Sequence, residues 1–499
     1  MAVAAGAADR AAADAARLAT VAALRDKLAR LGGLGGAAAR PRPAPDGGGP
    51  RDAATGSAAR SSPQVPRQPG FEPEATAAGT AWIRRADVDL GPMLEAAGVT
   101  STADLGQLVR LVGGRTAAAD AAPAAPPAEG PIAVLDIESL GLRGSGVVAF
   151  LVGVGLQRGR HLEVHQALLA DPGHEEALLT AVLDRLDGCA ALVTYNGRTF
   201  DIPTLRARCI VNRLEHHCLD ARPHCDLLGP VRRLFRDRLG ACTLRQAEVG
   251  LLAMERVDDV PGFEAPGRYR AWLRGAGPEL LAGVVRHNEL DLCATAVLGA
   301  RLAEHVEGGM VQPVHAADRY RLALHLERRA ELPRAERLLR EAVAARGAPW
   351  DRRAAHRLAA RLRRAGAPHD AEALTLLRSL WHAEPGDLRG ARALAVALER
   401  AGHLDEALEV SDCALRLCRA MPAWRHGALR GAPPGGWCAD WERRVQRLRA
   451  RVERVRARSA RASRRRTSRE AAGSLFATAS AAGQRTPTAR PAAPAPTTG

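Results

Sequence analysis

The stretch IAVLDIESLGL, residues 132–142, decides the fold. Four apolar residues run into Asp136, Ile137 and Glu138, and a Ser-Leu-Gly turn follows. Side chains two apart on a strand share a face, so Asp136 and Glu138 project together from the end of a buried strand. There they repel each other unless positive charge lies between them. A divalent cation is one answer and a pair of solvated acids at a loop is the other; this stretch alone does not choose.

Working outward, residues 131–307 read as one α/β domain with a mixed sheet flanked by helices. PIAVLDIE is a strand, GVVAFLVGVGL a second and HLEVHQALL a third. PGHEEALLTAVLDRLDG is an amphipathic helix, AALVTYN another strand and DIPTLRARCIVNRL another helix, with helices dominating from Leu227 onward. Hairpin-type strands followed by alternating strands and helices give this class.

Two further stretches bear on the acids. In LVTYNGRTFDIPTL a strand ends at Asn196-Gly197 and a helix begins near Asp201. Asp201 is either a helix cap or a ligand. In VVRHNELDLCATAV, His287 and Asp291 are four apart, one turn along a helical face, as a solvated pair or as site groups. Taken together, Asp136, Glu138, Asp201 and Asp291 supply four carboxylates from a strand end, a helix start and a late helix. That oxygen donor set suits two divalent cations, Mg²⁺ or Mn²⁺. Such a pair serves phosphodiester cleavage, and His287 is placed to take a proton from water.

DIESLGL, YNGRTFDIP and HNELD resemble the three motifs of DEDD 3′–5′ exonucleases, which have a ribonuclease H-like fold. The segments between them, HCDLLGPVRRLF, CTLRQAEVGLL and RVDDVPGFEAPGRYRAWLRGAG, resemble the YprB-type ribonuclease H-like proteins. The resemblance implies a metal-dependent nuclease, a 3′–5′ exonuclease acting on RNA or DNA. It makes Asp136 and Glu138 the first-strand ligands, Asp201 the second-motif ligand and Asp291 the third. It also implies that Phe200 packs beside the site and that Asn196 and Gly197 shape the turn presenting Asp201, with Asp226 an outer group. One departure stands out. The family carries a histidine five before the last aspartate or a tyrosine four before it; here Arg286 stands five before and His287 four before.

The rest of the 499 residues frames this domain. Residues 1–130 read as largely disordered, with a short helix before Gly32-Gly33, a Gly/Pro/Ala/Ser-rich span over 33–80, a helical patch over 90–114 and an Ala/Pro linker. Residues 315–420 resemble tetratricopeptide repeats. Turn alanines 330, 365 and 401 recur at intervals of 35 and 36, and alanines 335, 373 and 407 open the second helices. Such repeats imply a protein partner.

The net charge of +16 concentrates between Trp441 and Glu470, where thirteen Arg oppose three Glu, a net +10. This Arg-rich helix, 441–470, either binds nucleic acid or is a solvated face, with Val445, Leu448, Val452 and Val455 at a/d spacing. Residues 471–499 read as a disordered tail.

Nine cysteines without a Cys-x-x-Cys pair argue for free thiols in a reducing compartment. No run of about 20 apolar residues occurs, and the expectation is a cytoplasmic protein with no membrane association. The rival function is an adaptor acting through its repeats, with a catalytically silent ribonuclease H-like domain.

Overall fold

The computed structural model describes residues 70–112, 130–141, 146–220, 222–308, 315–346, 349–366, 369–421 and 436–481. The expected helix before Gly32, most of the 33–80 span and the linker lie outside them. The described chain divides into two compact units between Leu338 and Leu339.

The first unit is built on a seven-stranded sheet. Its strands are β1 (Glu72–Thr76), β2 (Gly79–Asp89), β3 (Ile132–Leu140), β4 (Val148–Arg158), β5 (His161–Leu168), β6 (Ala191–Thr194) and β7 (His224–Asp226). The order across the sheet is β1-β2-β5-β4-β3-β6-β7. β1 through β3 pair antiparallel in that order, whereas β6 joins β3, and β7 joins β6, in parallel. The mixed α/β class expected for residues 131–307 is therefore the observed one. Central strands are buried throughout: every residue of β4 from Val148 to Leu156 is shielded from solvent, as a strand covered on both faces requires.

The expectation for residues 72–89 needs correction. They are not loop but two strands that extend the sheet beyond β5. β2 pairs with β5 from Trp82 opposite Leu168 to Asp89 opposite His161. The expected helical patch forms α1 (Gly91–Ala96) and α2 (Leu105–Val112).

Helices α3 (Glu175–Leu186), α4 (Asp201–Asn212), α5 (Leu228–Leu239), α6 (Leu244–Ala247), α7 (Ala265–Leu273) and α8 (Glu279–Glu307) complete the domain. Phe150 of β4 stacks on Tyr269 of α7 with ring centroids 4.2 Å apart, and the Tyr269 hydroxyl donates to the Leu169 carbonyl at 2.6 Å. α3 and α4 are joined by a buried fork: Arg208 Nε and Nη2 each lie 2.6 Å from an oxygen of Glu175. α8 crosses the sheet, and two features let it come close. Gly153 of β4 faces it, where a Cβ would lie 2.3 Å from Asn288 Oδ1. Leu292, Leu298 and Leu302 are fully buried along its length. α9 (Ala316–Arg328) packs against α5, with Arg238 Nε donating to Asp318 at 2.9 Å.

α10 (Leu332–Ala344) contains the division between the units. In the second unit α11 (Trp350–Ala365), α12 (Asp370–Ala383), α13 (Leu388–Ala401) and α14 (Leu404–Ala420) each pack on the next. Ala373 and Ala407, near the starts of α12 and α14, are fully buried, so the paired helices approach closely there.

α15 runs from Gly436 to Ala481, longer than the 441–470 segment expected, so residues 471–481 are helical; 482–499 lie outside the described residues. Trp437, Trp441, Val445, Leu448 and Val452 pack into the second unit's core, but Val455 is 47% exposed and leaves the stripe expected of it. All nine cysteines are free thiols. No described helix is long and apolar enough to cross a membrane.

Candidate active site

β3 carries Asp136 and Glu138, and the β3–β4 register shifts between Glu138 and Ser139. A bulge at this point re-aims the strand end. Asp201 opens α4 and is 5% exposed; its carboxylate accepts from the backbone N–H of Ile137, which ties the start of α4 to β3. Asp291 lies on α8, four residues beyond His287.

The turn before α4 is built tightly. Asn196 adopts a left-handed φ of 67°. A Cβ on Gly197 would lie 2.5 Å from the Thr194 side chain, so only glycine fits. Phe200 precedes α4 and packs against the sheet core. Asp226 accepts from the backbone N–H groups of Asn196 at 2.9 Å, Arg198 at 3.1 Å and Leu228 at 3.0 Å. It thus clamps this turn, and its charge also acts on Asp201, in keeping with a place at the outer edge of the acidic site.

The four carboxylates are close enough to act on one another. Burial, then the charges of Asp291, Asp201 and Glu138, raises the Asp136 carboxyl well above its ordinary range. Burial, then Asp291 and Asp201, pushes Glu138 up to about 8. Burial, with Asp226 and Asp291 adding to it, pushes Asp201 up to about 7 against the hydrogen bonds it accepts. Such a cluster holds protons or demands cations.

Four groups that were not singled out as site residues, Asn288, Gln166, Arg256 and Asp259, complete the surroundings. Asn288 Nδ2 donates to Asp136 Oδ2 at 2.8 Å, and Gln166 Nε2 in turn donates to Asn288 Oδ1 at 2.8 Å. Asn288 is three residues before Asp291 and therefore on its helical face, a signal available in HNELD. Arg256 is buried between Glu248, Asp259 at 3.2 Å and Asp291 at 2.5 Å. Asp259 Oδ1 lies 2.8 Å from His287 Nδ1, and His287 Nε2 lies 3.7 Å from Asp291 Oδ2. Burial works against the Asp259 carboxylate, yet the His287 hydrogen bond and Arg256 hold its pKa below the ordinary value. Arg256 and Asp259 come from RVDDVPG, a loop whose spacing gives no sign of its destination. A cleft of about 390 Å³ opens beside these groups, lined by Arg245, Asp259, His287 and Asp291 among others.

In donor chemistry the four carboxylates fit a hard divalent cation. As the side chains stand, no group of three or more His, Cys, Asp or Glu among the described residues is spaced to hold a metal ion, and Arg256 covers one side of Asp291. Away from the cluster, His217–Leu219 form a short turn, and on β7 His224 Nε2 lies 2.9 Å from Thr194 Oγ1.

Residues 133–303 match the family described as the RNase_H superfamily, and the first unit therefore carries a ribonuclease H-like domain. Its type is that of YprB: the chain is 32% identical over 212 residues to the uncharacterized protein YprB of Bacillus subtilis (strain 168). The aligned region is 42% of this chain and 51% of that protein, so the chain spans about half the length of the relative it matches. A solved structure, the family B DNA polymerase from the hyperthermophilic archaeon Pyrobaculum calidifontis, aligns with 44% of this chain and 29% of its own at a TM-score of 0.30 and 17% identity.

Proposed function

We propose that the first unit is a metal-dependent nuclease, a 3′–5′ exonuclease hydrolysing phosphodiester bonds. The observation that carries this is the convergence of Asp136, Glu138, Asp201 and Asp291 from β3, α4 and α8 into one buried cluster that raises the proton affinity of its members. A fold gains nothing from uncompensated buried carboxylates; a binding site for Mg²⁺ or Mn²⁺ does. Two bound ions would supply an activated water and stabilise the leaving oxygen.

The chain's own groups do the rest. Asn288 holds one oxygen of Asp136 and leaves the other free. Asp259 accepts the Nδ1 proton of His287, which leaves Nε2 as the basic nitrogen beside Asp291. That arrangement supports His287 as the general base despite its unusual spacing. Asn196, Gly197 and Phe200 set the entry of α4 and hence the position of Asp201. The helices of residues 315–420 serve as a tetratricopeptide-like surface for a protein partner, and the protein works in the cytoplasm.

The test uses the full chain with Mg²⁺ or Mn²⁺ and RNA and DNA, single- and double-stranded, labelled at the 5′ end. Stepwise shortening that a 3′-terminal block prevents supports the reading. Cleavage of blocked ends makes the enzyme an endonuclease. Inertness toward every substrate favours the rival, a silent domain in an adaptor.

A further inference from the structure

A second cavity, of about 450 Å³, lies between the C-terminal end of α1, α5, the π-helical turn Glu248–Leu252 and the facing sides of α8 and α9. This is within the range of small-ligand sites. Its lining includes Arg238, Arg301, His305 and Asp318. Among the described residues, Arg301 Nε and Nη1, His305 Nε2 and Asp318 Oδ1 are all buried without a hydrogen-bond partner. His305 is 2% and Asp318 4% exposed. Asp318 spends its other oxygen on Arg238 Nε at 2.9 Å. The His305 ring is held against Phe235, centroids 4.8 Å apart, so it cannot swing out to water without unpacking. Buried polar groups are normally satisfied, and these four unsatisfied atoms belong to three residues that line one cavity.

The pattern is specific. Arg301 offers two N–H donors and full charge, which call for anionic oxygens. Asp318 Oδ1 can only accept, which calls for a donor on the same ligand. A phosphate group that retains one proton has both: its P–O⁻ oxygens meet Arg301 and its P–OH meets Asp318. Sulfate has no proton at neutral pH and would set an oxygen against the carboxylate. We propose that this cavity is a binding site for a protonated phosphate group, either free phosphate or a phosphomonoester, separate from the carboxylate cluster. The apolar share of the lining, Val249, Leu251 and Ala253, leaves room for the organic part of a monoester.

Calorimetric titration of the full chain in chelator, which silences any metal at the carboxylate cluster, tests this with inorganic phosphate, adenosine 5′-monophosphate and sulfate. Phosphate is expected to bind the wild type, and to bind Arg301→Gln at least tenfold more weakly. Sulfate is expected to be rejected by the wild type and accepted by Asp318→Asn, whose amide can donate. Tighter binding of the monophosphate than of phosphate identifies a nucleotide-like monoester as the ligand, and the reverse identifies free phosphate. Phosphate and sulfate binding the wild type alike, phosphate binding indifferent to a folded Arg301→Gln, or no heat with any probe at millimolar concentration overturns the proposal. If Arg301→Gln fails to fold, the sulfate response of Asp318→Asn decides.

Discussion

Asp136 and Asp291 belong to one cluster, yet their removal should have opposite effects on stability. Burial and the charges of Asp291, Asp201 and Glu138 disfavour the ionised form of Asp136. Asp136→Asn removes that penalty and keeps an acceptor for Asn288, so in chelator at neutral pH the melting temperature should rise by a few degrees. About 1 kcal/mol moves a domain of a couple of hundred residues by roughly 2–4 °C. Asp291 pairs with the buried Arg256, and Asp291→Asn should cost about 1.5–3 kcal/mol, the worth of a hydrogen bond to a charged group. Calorimetric melts of both variants check this, and equal shifts would contradict it.

The same raised groups set a pH dependence. Their folded pKa values lie above the unfolded ones, so the penalty is absent below the ordinary carboxyl range and grows as pH rises through about 7 and 8, where Asp201 and Glu138 titrate. Metal-free stability should therefore fall over that window, and Mg²⁺ should raise the melting temperature more at alkaline than at mildly acidic pH. A metal effect that is equal across the window would contradict it.

His287→Ala should lower the cleavage rate by about 10²–10⁴, and Asp259→Asn by tenfold or more, because the amide no longer fixes the imidazole tautomer. Single-turnover rates on an end-labelled strand measure both, and a less than threefold loss in His287→Ala would move the base role elsewhere. The four acids and His287 were legible because strand and helix periodicity place them. Arg256 and Asp259 were not, because a loop residue's destination is set by tertiary packing.

At the scale of elements, β4 and α8 approach closely because residue 153 has no side chain. Gly153→Ala would set a methyl 2.3 Å from Asn288 Oδ1 and 2.8 Å from Leu292 Cδ1. It should cost about 1–3 kcal/mol by overpacking and reduce cleavage by loosening Asn288 from Asp136. Denaturant midpoints read the first effect, and an unchanged midpoint would contradict it.

α15 has two halves. Up to Val452 one face is packed in the second unit's core, and Arg444, Arg447, Arg449 and Arg456 pair with Glu399, Asp412 and Asp405. Residues 453–467 are exposed all round. Truncation after Arg456 should therefore leave stability within about 0.5 kcal/mol, as for surface changes. If the exposed arginines neutralise phosphates, it should also flatten the salt dependence of nucleic-acid affinity, by roughly 0.7–0.9 for each phosphate left without its arginine. An unchanged slope would assign the segment no such role.

The central strands and α8 were legible from apolar runs. β1 and β2 were not: of their sixteen residues only Ala81 and Ile83 are buried. What holds β2 is backbone pairing with β5, which leaves little mark on side-chain pattern.

Across the whole molecule, a ribonuclease H-like unit is followed by a helical unit and ends in a strongly basic helix. The first holds the proposed chemistry. The recurring alanines suggested one repeat array over residues 315–420, but α9 packs on α5 within the first unit. That packing joins residues far apart in the chain, and periodicity reports only near neighbours. The buried carboxylate cluster is proposed as a metal-dependent nuclease site. Side-by-side cleavage of one end-labelled strand by wild type and Asp136→Asn, in Mg²⁺ and in chelator, tests it most directly. The expected result is Mg²⁺-dependent cleavage by the wild type and none by the variant, with the variant folded and at least as heat-stable in chelator. Undiminished cleavage by folded Asp136→Asn, or wild-type cleavage unaffected by chelator, would contradict it.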